Sequence, residues 1–108
     1  MDDIEAARGA VAGIRARVED GVPVITISGE LDLSNVDRIQ AAIGAAAGGE
    51  RQRIIFEAAD LEYMDSSGIA LLVTVARQVA DVEIRQPTDI VRRIIEISGV
   101  DHILRMVP

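Results

Sequence analysis

Apolar positions along this chain switch between the two-residue period of a strand and the 3.6-residue period of a helix. Ile14-Arg15-Ala16-Arg17-Val18 alternates, Val22–Ile27 is nearly continuous, and Glu19-Asp20-Gly21 lies between them. Asp-Gly between two such runs predicts a β-hairpin. Pro23 has no N–H, so it belongs near the strand start or where no partner faces it. Ile4, Ala7, Val11 and Ile14 fall near one helical face, which makes residues 1–13 an N-terminal extension with weakly amphipathic helical spacing.

Beyond the hairpin, strand and helix patterns alternate. Gly29–Asn35 reads as a loop. Ser34 stands three residues before Asp37 in a capping-box-like start, and Val36, Ile39 and Ile43 mark a helix that runs out at Gly48-Gly49. Arg53–Phe56 is a short buried-type strand, followed by a loop through Asp60 and Tyr63. Ile69, Leu72, Val73, Ala76 and Val79 then predict a second helix. Asp81–Arg85 is another strand. Pro87-Thr88-Asp89 starts a third helix, with Ile90, Val91, Ile94, Ile95 and Ile97 as a wide apolar stripe and Gly99 as its C′ residue. Ile103–Val107 closes as a strand. This order predicts an α/β domain over residues 14–108: an N-terminal β-hairpin, then βα repeats with right-handed crossovers in a mostly parallel four- to five-stranded sheet, helices packed against it.

Composition narrows the chemistry. With 108 residues and 49% apolar content the chain can bury one core without staples, and it has no cysteine for a disulfide, a thiol nucleophile or a cysteine metal site. The net charge is −7, and all 11 basic residues are scattered arginines, which disfavours nucleic-acid binding. No apolar run reaches the ~20 residues of a membrane span, and Met1-Asp2-Asp3 is unlike a secretory signal, so a cytoplasmic protein without membrane insertion is expected. Phe56 and Tyr63 are the only aromatic residues, too few for a stacking platform. No cofactor or metal is indicated.

In an open α/β sheet, partners meet the loops at the carboxyl ends of the parallel strands. Two such loops carry candidate chemistry: Gly29–Asn35, with Asp32, Leu33 and Ser34, and Asp60–Gly68, with Asp65, Ser66, Ser67 and Gly68. Spacing alone favours plain roles, in which Ser66 caps the second helix, Asp32 or Ser34 serves a turn or cap, and the lone His102 is partly buried at a strand start. Catalysis is poorly supported. Asp65-Ser66-Ser67-Gly68 is not a Gly-x-Ser-x-Gly elbow, one distant histidine makes no triad, and a phosphate loop has no lysine to use.

Gly29-Glu30-Leu31-Asp32 and Tyr63-Met64-Asp65-Ser66-Ser67-Gly68-Ile69 together resemble the two signatures of STAS domains of the bacterial anti-sigma factor antagonist type. The resemblance covers about residues 14–107. It implies a non-enzymatic regulator that binds an anti-sigma factor which is also a serine kinase, thereby releasing a sigma factor. It implies further that this partner phosphorylates Ser66, with Ser67 the adjacent alternative, and that a phosphatase reverses the mark. The partner surface would comprise Asp32, Leu33, Ser34, Asp65, Ser66, Ser67 and Gly68. The alternative is a STAS-like accessory subunit of a membrane lipid ABC transporter. Two departures stand out: Ala70 occupies a position where relatives often have Gly, and many relatives continue past the last strand into a further helix. The second leaves a surface for residues 1–13, or for a second subunit in a homodimer, to cover.

Overall fold

Each chain crossover steps to the next strand in the same direction across the sheet, and that regularity fixes the layering. The computed structural model describes residues 13–46 and 51–108. The helical spacing of residues 1–12 and the expected stop at Gly48-Gly49 lie outside the described residues. Gly13, counted with the extension, opens the first strand.

Strands β1 (Gly13–Glu19) and β2 (Val22–Leu31) form the expected antiparallel hairpin. Asp20 and Gly21 both take positive φ, 51° and 79°, as a two-residue turn matched to strand twist requires. Helix α1 (Val36–Ala46) leads to β3 (Arg51–Glu57), and β4 (Leu61–Met64) leads to helix α2 (Ser66–Gln78). Then follow β5 (Val79–Arg85), helix α3 (Asp89–Ile97) and β6 (Arg105–Val107). The main ladder runs β1-β2-β3-β5-β6, parallel throughout after the hairpin. Right-handed crossovers that all advance one way put the three described helices on one face.

The core confirms that layering. Ile25, Ile27, Ile54, Phe56, Val82 and Ile84 point from the sheet into one cluster with Ile39 and Ile43 of α1, Leu71, Leu72 and Val75 of α2, and Val91 and Ile95 of α3. Alternate positions carry charge on the other face. Arg17 forks onto Glu57 at 3.0 and 2.9 Å, and Arg85, Arg53 and Arg105 converge on the buried Glu83. Arg105 also reaches Asp81 at 2.7 Å.

Four of the expected elements need correction, one of them at Val79, expected in the second helix, which instead opens β5. Gly29–Leu31 continues β2 where a loop was expected, and Leu61–Met64 is a sixth strand, absent from the expected order. These two segments pair with each other in parallel, beyond the point where β2 leaves β3, with a register shift between Gly29 and Glu30. The last strand is also shorter than expected: Ile103 lies in a turn before it. Among the described residues no helix is long and apolar enough to cross a membrane.

Candidate functional site

The parallel pair β2–β4 brings the two signature segments side by side. Leu31 is opposite Met64, and the ladder continues one step further through Asp65 N–H to the Leu31 carbonyl at 3.1 Å. There the chain turns from strand to helix. The Asp65 carbonyl accepts from Ile69 N in the first turn of α2, at 3.2 Å.

Asp65 is the N-cap of α2. Its Oδ1 accepts from Ser67 N at 2.8 Å and Gly68 N at 3.3 Å, satisfying two donors that a helix start leaves open. Its Oδ2 accepts from Leu33 N at 3.3 Å, joining the loop after β2 to the helix start. Ser66, for which spacing allowed the capping role, does not fill it. Ser66 is exposed in the first turn, and its hydroxyl has no hydrogen-bond partner among the described residues, while Ser67 is half-buried. Gly68 is buried, because the start of α2 lies close on β2 and β4: a Cβ there would come within 3.0 Å of Leu31 Cγ and Met64 Cβ.

The Asp32 loop folds on itself. Ser34 donates both its N–H and its hydroxyl to Asp32 Oδ1, so the capping-box role expected of Ser34 is replaced by this turn. Asn35, which sequence reasoning missed, is the organising residue. It is buried, its Oδ1 accepts from Asp32 N at 3.1 Å, and its Nδ2 donates to the Glu30 carbonyl at 2.8 Å. Its signal was a short polar residue just before the apolar-periodic run of α1. Leu33, between these anchors, is 77% exposed.

The structure thus unites Asp32, Leu33 and Ser34 with Asp65, Ser66 and Ser67 at one end of the sheet, with Gly68 beneath them as a packing residue. His102 is far in sequence, exposed and in a turn, unlike the half-buried strand start expected for it. Among the described residues no group of acidic or histidine side chains is placed to hold a metal. The arrangement offers an accessible hydroxyl and an apolar side chain on a rigid base.

The STAS domain family matches residues 13–108. A curated relative, the anti-sigma F factor antagonist of Lysinibacillus sphaericus, is 36% identical over 81 residues, which cover 70% of this chain and 69% of the relative. An anti-sigma factor antagonist from Mycobacterium paratuberculosis has the same fold, with a TM-score of 0.83 at 22% identity over 92% of this chain and 87% of its own. The Bacillus anti-sigma factor antagonist SpoIIAA resembles it in both solved states. The unphosphorylated form has a TM-score of 0.72 at 27% identity, covering 89% of each chain; the phosphorylated form has 0.62 at 25%, covering 89% of this chain and 92% of its own.

Proposed function

We propose, because this chain belongs to the STAS domain family of anti-sigma factor antagonists, that its unphosphorylated form binds an anti-sigma factor and frees a sigma factor. Phosphorylation of Ser66 by that same partner, acting as a serine kinase, turns the binding off, and a phosphatase restores it. The observation that carries this reading is the state of Ser66: the residue is exposed, and its hydroxyl has no partner among the described residues because Asp65 does the capping. A relative solved with and without phosphate supports a switch of this kind.

The partner would supply ATP and the catalytic groups. The Ser66 oxygen attacks the γ-phosphorus, a new O–P bond forms, ADP leaves, and the hydroxyl proton passes to a base of the kinase. This chain contributes only the acceptor and its surroundings.

The mark would act by charge. A phosphate adds about −1.5 to −2 charges and three acceptor oxygens. Within the domain the start of α2 favours an anion by about 0.3–1 kcal/mol. Across an interface shaped for a neutral hydroxyl, the dianion is unpaired and loses its water. A loss of ~4 kcal/mol there weakens binding about a thousandfold.

The test is to incubate the protein with its cognate kinase and ATP and to locate added phosphate by mass spectrometry. Modification at Ser66 is expected. In titrations, Ser66→Ala binds like the wild type and takes up no phosphate, whereas Ser66→Asp binds at least tenfold more weakly. Equal affinity of the two variants overturns the switch.

A further inference from the structure

In a parallel ladder, the residue that donates its N–H to one strand neighbour offers its C=O to the residue two further along that neighbour. Asp65 donates its N–H to Leu31, so its carbonyl would next receive Leu33 N. That carbonyl is already committed to Ile69 in α2. The side chain takes the missing place: Oδ2 accepts from Leu33 N, while Oδ1 accepts from Ser67 and Gly68. One carboxylate therefore ends the ladder and starts the helix.

We infer that Asp65 is a positioning residue for the partner interface, holding Leu33 as an exposed apolar anchor at a fixed place beside Ser66. This rests on the proposed anti-sigma binding and adds to it a division of labour between Leu33, which contacts the partner, and Asp65, which acts through Leu33. Leu33 is 77% exposed at the end of the sheet where the loop after β2 meets the start of α2. Its backbone is held on both sides, by Asp65 at its own N–H and by the Asp32–Ser34–Asn35 turn around it. Fixing it in advance spares the complex the ordering cost of a loose loop.

Chemistry supplies a selective variant. Asparagine is as good an N-cap as aspartate, but it has one oxygen where the clasp and the cap need two. Asp65→Asn keeps α2 and releases Leu33. In the full chain, amide hydrogen exchange of Leu33 is expected to quicken about tenfold in Asp65→Asn, the scale of one charge-assisted hydrogen bond, with α2 amides unchanged. Affinity for the cognate anti-sigma factor falls about tenfold in Asp65→Asn and in Leu33→Ala. The double variant falls no further than the weaker single, because the two residues act as one unit.

Unchanged exchange at Leu33 in Asp65→Asn overturns the clasp, and losses that multiply in the double variant overturn the coupling. A wild-type chain that does not bind the anti-sigma factor at all overturns the parent reading instead, and the exchange measurement still decides whether Asp65 holds Leu33.

Discussion

A methyl group at position 68 would arrive 3.0 Å from Leu31 Cγ and Met64 Cβ, tighter than ordinary contact, so side chains buried in the core would have to shift to admit it. Overpacking of this kind costs about 1–3 kcal/mol, and the gain in helix propensity from Gly to Ala returns at most ~1 kcal/mol. Gly68→Ala should therefore lower stability by about 1 kcal/mol in urea unfolding, with the midpoint shifted and the slope unchanged. The effect belongs to packing between the signatures, and an Ala at position 70, exposed on the same helix, has no such neighbour to meet. The site was legible in the sequence as a set of residue types: an Asp, two Ser and a Gly at a helix start. Which of them caps was not legible, because Asp and Ser are equally good caps and only the placement of β4 beside β2 gives Asp65 a second partner in Leu33. Asn35 was passed over for the same reason, since its two bonds run to backbone atoms that only the folded turn brings near.

Elements with a strong internal period were read well and those without one were missed. α2 and α3 and the hairpin follow from spacing, caps and Asp-Gly. β4 does not, because only its end residues Leu61 and Met64 are buried while Glu62 and Tyr63 between them are exposed, a pattern with neither period. Gly29 carries a positive φ of 82° and marks a register shift, so a glycine in mid-strand looked like a loop. The wide stripe of α3 is only half used: Val91 and Ile95 are buried, whereas Ile90 and Ile97 are 57% and 76% exposed. The start of α3 is tied down as well. Thr88 Oγ1 accepts from Val91 N at 3.3 Å and donates to the Leu61 carbonyl at 3.2 Å, tying the helix cap to β4. Thr88→Ala should cost about 1–2 kcal/mol and speed amide exchange in the first turn of α3 above the rest of the helix.

At the scale of the whole molecule, the sheet face opposite the three described helices is held by charge. Burial pushes the Glu83 carboxyl up, but hydrogen bonds from Arg85, Arg53 and Arg105 outweigh it and hold the group at about 2; Glu57 is held at about 2 by Arg17 and Thr26. Both sit below the ordinary glutamate value of 4.5, so their contribution to stability is complete above pH 4.5 and is lost as pH falls from there toward 2. Thermal melts should show a steep decline across that window. Glu83→Gln should be less stable at pH 7 by about 2 kcal/mol, below the ~3–5 of a fully buried pair because its arginines stay partly solvated, and should flatten the acid decline. A variant with an undiminished acid slope would assign the decline to other carboxylates. The strand order has a consequence of another kind, in the sequence of synthesis. Since β2, β3, β5 and β6 stand in the sheet in the order in which they leave the ribosome, each can add to an open edge of what has already formed. No later strand has to be inserted between two that are already joined, so a nascent chain can build this sheet from its first hairpin outward without undoing any pairing on the way.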